Sequence, residues 1–189
     1  MGRIDIRIAG FGGQGVILAG LLLGKAAVIY DKKKAVQTQS YGAEARGGAA
    51  RSEVVIADEP IDYPKVISAD ILVAMSQEAV NRYFENLKGG ATVIVDADLV
   101  SKVPICQEVK VYKVPATSVA TKEFGNQIVA NMIMLGALVG LTNAVSETAI
   151  RTAVMEGVPE GTREVNLQAL EKGLSFARLL KKARNYAPL

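Results

Sequence analysis

The sequence contains no histidine, no tryptophan and a single cysteine, Cys106. A disulfide requires two cysteines, and an iron–sulfur cluster is usually held by about four thiolates. Structural zinc sites draw on several cysteine or histidine ligands, and catalytic triads depend on histidine. The chain therefore cannot form an internal disulfide or hold an iron–sulfur cluster by itself. A hydrolase that depends on a catalytic histidine is also excluded. A lone cysteine indicates a reducing compartment, so we predict a cytoplasmic protein whose Cys106 thiol is partly buried and inert.

The charge of the chain is nearly balanced. Lysine and arginine number 22 against 19 acidic residues, which is too even to indicate a nucleic-acid partner. An uncharged stretch over residues 125–146 is interrupted by Asn126 and Asn131 and lacks basic and aromatic flanks. We therefore expect no membrane span here but a buried helix, in which Gly136 and Gly140 allow close packing against another helix.

Apolar periodicity predicts strands that alternate with helices. Ile4, Ile6 and Ile8 share one face of the first strand, and Gly20 and Gly24 suggest close packing of the first helix. Strands are expected over residues 3–9, 35–41, 51–57, 71–75, 92–95 and 109–114, and helices over 16–30, 76–88, 146–156 and 162–183. A short loop joins the second and third strands, so this pair should be antiparallel. The pattern indicates one α/β domain over all 189 residues: three layers, a mostly parallel sheet, a Rossmann-like glycine turn and a helical C-terminal third.

The glycine-rich turn Gly10-Phe-Gly-Gly-Gln-Gly15 lies between the first strand and the first helix. Glycines there allow positive φ and a close approach of backbone N–H groups to an anion, and the helix N-terminus adds a favourable dipole. A dinucleotide site would also need an acidic residue at the end of the second strand. That strand ends at Ser40 without one, and Asp31 precedes the strand. The motif therefore favours a phosphate-binding turn over an NAD or FAD site; a turn that only packs the helix is the other interpretation.

Charged side chains follow the first helix and several strands. The first helix is followed by three lysines, Lys32, Lys33 and Lys34. They could contact phosphate groups or simply offset the dipole at the helix C-terminus. Arg46 lies in a glycine-rich loop and could bind a phosphate or carboxylate, or form a surface ion pair. Asp96 and Asp98 follow a strand, and without a further oxygen cluster we expect them to form a turn rather than a Mg²⁺ site.

Several segments together resemble one family. Residues 8–16, which contain the glycine turn, and the stretch Gln37-Thr-Gln-Ser-Tyr-Gly-Ala-Glu-Ala-Arg-Gly-Gly48 are similar to the gamma subunits of 2-oxoacid:ferredoxin oxidoreductases, the pyruvate/ketoisovalerate oxidoreductase gamma family. Shorter matches lie at residues 51–53, 62–64, 74–77 and 125–126, so the resemblance spans nearly the whole chain. Residues 37–42 look most like the 2-oxoglutarate branch.

The resemblance implies a subunit of an oxidoreductase that is not active alone. In such an enzyme a 2-oxoacid is decarboxylated on thiamine diphosphate, electrons pass through iron–sulfur clusters to ferredoxin, and the acyl group leaves as a coenzyme A thioester. This chain has neither the cysteines for clusters nor a Gly-Asp-Gly motif for the thiamine diphosphate metal. The implied partners are alpha, beta and delta-type subunits, which would hold thiamine diphosphate, Mg²⁺ and the clusters. Contact with ferredoxin would be indirect, and the isolated chain could form a homodimer.

The same resemblance implies that this chain binds coenzyme A and supplies no catalytic residue. Fused relatives carry a Tyr-Asp-x-Lys-Lys stretch, like Tyr30-Asp-Lys-Lys-Lys34, in a domain that helps to bind coenzyme A. The implied contacts come from the turn and the basic side chains: Gly10, Gly12, Gly13, Gln14, Gly15, Lys32, Lys33, Lys34 and Arg46. Three alternatives stay open, namely a Rossmann-type oxidoreductase that binds NAD or FAD, a non-catalytic assembly scaffold, and a membrane-embedded helical protein.

Overall fold

The computed structural model describes residues 2–41 and 48–185 and contains a six-stranded sheet. The strands are β1 (Ile4–Phe11), β2 (Lys34–Tyr41), β3 (Ala49–Ala57), β4 (Ala69–Ala74), β5 (Leu87–Asp96) and β6 (Lys110–Val114). Their order is β2-β3-β1-β4-β5-β6. β1, β4, β5 and β6 run parallel, whereas β3 is antiparallel to both of its neighbours. The predictions of a mostly parallel sheet and of an antiparallel β2–β3 pair are confirmed.

Residues 84–88, which were expected to be helical, instead form a 3₁₀ turn and the start of β5; the other predicted helices begin and end close to the expected positions. The helices are α1 (Val16–Lys25) with a π-helical continuation (Ala26–Tyr30), α2 (Gln77–Tyr83), α3 (Ala116–Phe124), α4 (Ala130–Thr142), α5 (Glu147–Gly157) and α6 (Arg163–Asn185). Ser76 and Ser146 cap α2 and α5, because each hydroxyl accepts the N–H three residues on at 3.1 Å. The predicted helical C-terminal third is therefore confirmed.

Helices cover both faces of the sheet, which makes three layers. On the helix-rich face, Ile6 and Ile8 of β1 pack in one apolar core with α1, α4, α5 and α6. On the opposite face, which we call the α2 face, Ala9 of β1 packs with Ala79 and Val80 of α2. α1 follows β1 and packs on the helix-rich face, whereas α2 follows the neighbouring parallel strand β4 and packs on the α2 face. The helices that follow these two strands therefore lie on opposite faces of the sheet.

On the helix-rich face, α4 and α6 approach each other so closely that only glycine fits between them. A Cβ atom at Gly136 would lie 2.2 Å from the Leu170 carbonyl oxygen, and one at Gly173 would lie 2.0 Å from the Ile133 carbonyl oxygen. The buried helix with close packing at Gly136 is therefore confirmed. Among the described residues, no helix has the length and apolar character needed to cross a membrane.

Two expectations about individual residues are wrong. Cys106 is exposed instead of partly buried, and its neighbour Ile105 is fully exposed. Both lie on the long connection between β5 and β6, which runs over the surface because a buried loop would leave its backbone polar groups unpaired. Gly20 is in close contact, since a Cβ there would lie 2.0 Å from Ser52 Oγ, but Gly24 has open space around it. Gly24 lies about one helical turn beyond Gly20 on α1, where no neighbouring segment comes within 4 Å of a Cβ atom.

Candidate functional site

The glycine turn joins the C-terminal end of β1 to α1 and exposes unpaired backbone donors. Gly13 and Gly15 have φ angles of 97° and 73°, which glycine adopts without a Cβ penalty. Within the described part of the chain, the N–H groups of Gly13, Gly15 and Val16 donate no hydrogen bond. The first turn of α1 adds the positive end of its helix dipole. The turn therefore has the geometry of an anion site, while the ligand contacts expected from Gly10 to Gly15 stay predictions.

Gln14 braces this turn from within. Its Oε1 accepts the Phe11 N–H at 2.6 Å, and its Nε2 donates to the Met75 carbonyl oxygen at 2.8 Å. A Cβ atom at Gly10 would lie 2.3 Å from Gln14 Oε1, so the brace depends on glycine at position 10. Met75 directly follows β4, and the brace therefore ties the ends of β1 and β4 together. One N–H of the Gln14 amide is left for a ligand.

Asn131 of α4 supports the other end of the turn. Its side chain is buried, and its Nδ2 donates to the Gly15 carbonyl oxygen at 3.2 Å. A Cβ atom at Gly15 would lie 2.2 Å from that nitrogen, so position 15 requires glycine for its contacts as well as for its positive φ. α4 thereby fixes the point at which α1 begins.

A cavity of about 210 Å³ opens beside the turn, at the C-terminal edge of the parallel strands. It is lined by residues of the turn and of three other segments: Gly13, Gln14, Met75, Thr117, Gln127, Ile128 and Ala130. Because α1 and α2 lie on opposite faces, the crevice between β1 and β4 is a topological switch point, where open α/β sheets bind their ligands. The lining combines amide groups with apolar surface and contains no charged side chain.

Asp96 and Asp98 hold the wall of the cavity at Thr117. Asp96 Oδ2 accepts the Thr117 hydroxyl at 2.5 Å, and Asp98 Oδ2 accepts the Ser118 N–H at 2.7 Å. Burial raises the pKa of the Asp96 carboxyl above its ordinary value, and the hydrogen bonds from Thr117 and Asp98 partly oppose this shift. The prediction that these residues form a turn is confirmed. Within residues 2–41 and 48–185, no group of three or more metal-binding acidic, cysteine or histidine side chains occurs.

The three lysines after the first helix lie at the opposite end of the sheet from the turn. Lys34 begins β2 at the edge where β1 also begins. The ten residues of α1 and the five of its π-helical continuation separate this edge from the turn by about 22 Å. Lys32 Nζ donates to the Ile29 carbonyl oxygen at 2.8 Å, and Lys33 Nζ donates to the Ala144 carbonyl oxygen at 3.1 Å. These contacts agree with cations that offset the ends of helices, and a single phosphate group cannot contact both the turn and the lysines.

The remaining features of a dinucleotide site are missing from the described residues. The last two described residues of β2, Ser40 and Tyr41, are not acidic. β3 also lies between β1 and β2, which moves the end of β2 about 10 Å from the turn. Asp31 lies at the other end of β2 and accepts the Ser146 hydroxyl at 2.6 Å. Arg46 lies outside the described residues, so its expected contact stays a prediction.

Sequence patterns did not indicate five of the residues that line the cavity, namely Met75, Thr117, Gln127, Ile128 and Ala130. Met75 and Thr117 come shortly after β4 and β6, so their position beyond the end of a parallel strand was the available signal. Gln127 and Ile128 belong to a 3₁₀ turn, Gln127–Val129, which enters the site only through the packing of α3 and α4. Local sequence carries no signal for that contact.

Comparison with known proteins adds a family to this geometry. Residues 5–176 match the family described as pyruvate ferredoxin/flavodoxin oxidoreductase. The 2-oxoglutarate synthase subunit KorC of Methanocaldococcus jannaschii is 56% identical over 180 residues, which are 94% of this chain and 96% of the relative.

Two solved structures are also similar. The gamma subunit of keto/oxoacid ferredoxin oxidoreductase from Geobacter sulfurreducens has a TM-score of 0.83 at 44% identity, over 93% of this chain and 99% of that one. The 2-oxoglutarate:ferredoxin oxidoreductase from Magnetococcus marinus, with 2-oxoglutarate, coenzyme A and succinyl-CoA bound, has a TM-score of 0.85 at 27% identity, over 95% of this chain and 32% of that one. As the resemblance in its sequence predicted, this chain belongs to the pyruvate ferredoxin/flavodoxin oxidoreductase family.

Proposed function

We propose that this chain is the gamma subunit of a 2-oxoglutarate:ferredoxin oxidoreductase and that its glycine turn binds part of coenzyme A. The observation that carries the coenzyme A assignment is the set of unpaired N–H groups at Gly13, Gly15 and Val16, beside a cavity at the switch point of the sheet. The identity of 56% to KorC supports 2-oxoglutarate as the oxoacid. The ligands of the Magnetococcus marinus enzyme support a thioester of coenzyme A as the product.

The chemistry of coenzyme A fits the two parts of the site. Its phosphate groups suit the backbone amides and the helix dipole of the turn. Its pantetheine arm carries amides on a largely apolar chain, which suits a cavity that combines Met75 and Ile128 with Thr117 and Gln127. Ligand cavities commonly enclose about 300–1,000 Å³, so the 210 Å³ here would hold only part of coenzyme A, with a partner subunit covering the rest.

The basic side chains are assigned a separate role. Because the lysines lie about 22 Å from the turn, we assign Lys32, Lys33 and Lys34 to a second phosphate group of coenzyme A or to an acidic partner. Lys34 is exposed at the start of β2, which suits either contact. We also propose that Arg46 contacts the phosphate groups of coenzyme A.

The chemistry of decarboxylation and electron transfer is assigned to other subunits. A chain with one cysteine and no histidine offers no ligand set for an iron–sulfur cluster. We therefore place thiamine diphosphate, Mg²⁺ and the clusters on alpha, beta and delta-type partners, with ferredoxin contacting those subunits. Affinity purification of the tagged chain from its own cells, followed by mass spectrometry, tests this assignment. Recovery of the chain without such partners would contradict it.

The coenzyme A assignment is tested with two matched glycine variants in the purified, assembled enzyme. Gly13→Val puts a β-branched residue at a φ of 97°, which strains the turn that presents the unpaired amides. Gly90→Val is the control, since Gly90 also has positive φ and open space, but lies on β5 far from the site. We expect Gly13→Val to raise the KM for coenzyme A about tenfold or more, because hydrogen bonds to a charged group are lost, with thiamine diphosphate content unchanged.

Both variants carry comparable backbone strain, so the control separates local contacts from general destabilisation. Gly90→Val should leave the KM for coenzyme A unchanged. An unchanged KM in a folded Gly13→Val enzyme would reject the phosphate-binding turn and favour the assembly scaffold, in which the turn only packs α1 on the sheet.

A further inference from the structure

A second polar site lies on the α2 face, away from the glycine turn. The strand register places Arg7 of β1 beside Glu53 of β3, and Glu53 beside Thr38 of β2. In the next row, Arg51 of β3 lies beside Ser40 of β2. Alternation along the strands directs these side chains to the α2 face. A sheet face that is covered by a helix normally buries apolar residues. A row of charged residues is therefore unexpected on a face that serves only to stabilise the fold.

Arg7 and Glu53 form the buried floor of this site. Arg7 is 4% exposed; its Nε donates to Glu53 Oε1 at 2.7 Å and its Nη2 to the Val66 carbonyl oxygen at 2.7 Å. The guanidinium carbon lies 4.8 Å from the centroid of the Tyr83 ring. Arg7 Nη1 is buried and has no hydrogen-bond partner among the described residues. Buried donors are nearly always paired in proteins, so the unpaired Nη1 of Arg7 is unusual. Arg7 therefore contributes a fixed positive charge and a hydrogen-bond donor that no described residue uses.

Two further cations stand at the rim and are only loosely engaged. Arg51 Nη1 is 3.5 Å from the Tyr83 hydroxyl oxygen, and Arg51 Nε is 3.8 Å from Glu53 Oε1. Charge-assisted hydrogen bonds usually measure about 2.7–2.9 Å, so these contacts leave the Arg51 guanidinium able to turn toward a ligand. The Lys65 ammonium forms no ion pair within the part of the chain that the structure describes.

These side chains surround a cavity of about 410 Å³. Its lining carries three cations, Arg7, Arg51 and Lys65, against one carboxylate, Glu53, which leaves an excess of two positive charges. Thr38 and Ser40 add hydroxyl donors along the edge strand β2. The volume lies within the range of small-molecule sites, about 300–1,000 Å³. The cavity therefore has the charge, the donors and the size to bind an anionic ligand.

We propose that this cavity binds the carboxylate or phosphate group of a small molecule. Arg51 supplies the paired donors that match two oxygens of such a group, and Lys65 supplies a mobile point charge. The buried Arg7 fixes a positive charge beneath them. The cavity lies on the α2 face, whereas the cavity beside the glycine turn is walled by α3 and α4 of the helix-rich face. The oxyanion site is thus separate from the proposed coenzyme A site.

The proposal is tested by NMR titration of the full isotope-labelled chain with inorganic phosphate and, separately, with succinate, at constant ionic strength. We expect at least one of these probes to cause saturable chemical-shift changes at the backbone amides of Thr38, Ser40, Arg51 and Lys65. Arg51→Gln should weaken that binding about tenfold, because a charged bidentate donor is lost. Its long contacts indicate that the variant will fold.

Arg163→Gln is the matched control, since Arg163 is also partly exposed and also lies 3.8 Å from a glutamate oxygen, but at the start of α6. This variant should bind both probes as the unchanged chain does. Saturation by phosphate alone would identify a phosphate ester as the ligand class, and saturation by succinate alone a carboxylic acid. Shifts that do not saturate, that occur only at Gly12 to Gly15, or that are equally strong in Arg51→Gln would overturn the proposal.

Discussion

The two faces of the sheet are buried by different means. On the helix-rich face, Ile6 and Ile8 of β1 join one continuous apolar core. On the α2 face, the residue between them, Arg7, is buried in an ion pair with Glu53. One strand therefore sends isoleucines to one face and a charge to the other, within three consecutive residues.

This difference separates a surface that stabilises the fold from one that can serve recognition. Apolar burial contributes stability roughly in proportion to the area removed from water. A buried ion pair seldom adds net stability, because both charges lose their hydration. The charged row on the α2 face is therefore poorly explained as a stabilising device, which favours a binding role.

The largest effect is expected from breaking the buried pair. Glu53→Gln leaves the Arg7 charge without its partner, so the free energy of unfolding should fall by about 3–5 kcal/mol. Urea denaturation measures the change. Glu171→Gln, which breaks the part-exposed pair with Arg151, is the control and should cost less than about 1 kcal/mol. Equal losses in the two variants would show that the α2 face differs little from the protein surface.

The next effect concerns the helix-rich face. Gly173→Ala places a methyl group against the Ile133 carbonyl oxygen, and the forced separation of α4 and α6 should cost about 1–3 kcal/mol in urea denaturation. The control is Gly161→Ala, where a Cβ meets open space. A Gly173→Ala protein as stable as the control would mean that these helices can separate freely, and that their close contact contributes nothing to the core.

A smaller effect depends on pH. Since burial raises the pKa of Asp96, the folded state holds its proton to higher pH than the unfolded chain. The stability that Asp96 contributes is therefore lost as pH rises from its ordinary pKa through the raised value. Asp96→Asn should remove this loss, so the variant gains stability relative to the unchanged chain between about pH 4 and 7. Urea denaturation of the variant and of the unchanged chain at the two ends of this pH range measures the gain. A difference in the free energy of unfolding that is the same at both ends would contradict the burial argument.

The smallest effect should be a gain. Gly24 lies within α1 with open space around it and no positive φ, so Gly24→Ala should raise the free energy of unfolding by about 0.5–1 kcal/mol through helix propensity. Thermal denaturation at a series of urea concentrations would detect this gain in stability. A loss of stability would indicate that position 24 is covered, for instance in a homodimer of the isolated chain, which sedimentation would then reveal.

Local chemistry explains which parts of the fold could be predicted. The starts of α2 and α5 were predicted to within one residue, because a serine N-cap depends on one hydroxyl and the amide three residues on. The antiparallel β2–β3 pair followed from the short loop between its strands. The insertion of β3 between β1 and β2 could not be predicted, because strand order depends on contacts between residues far apart in the chain. The exposure of Cys106 was missed for the same reason.

The sequence by itself determined that this chain has no histidine and too few thiols for an internal disulfide or an iron–sulfur cluster, that a glycine turn links its first strand to its first helix, and to which family it belongs. Only the tertiary structure placed Lys32 to Lys34 at the far edge from that turn and brought Arg7, Glu53 and Arg51 into one site. The physical reason is that residue types and turns act within a few positions, whereas strand register and helix packing join side chains from distant segments.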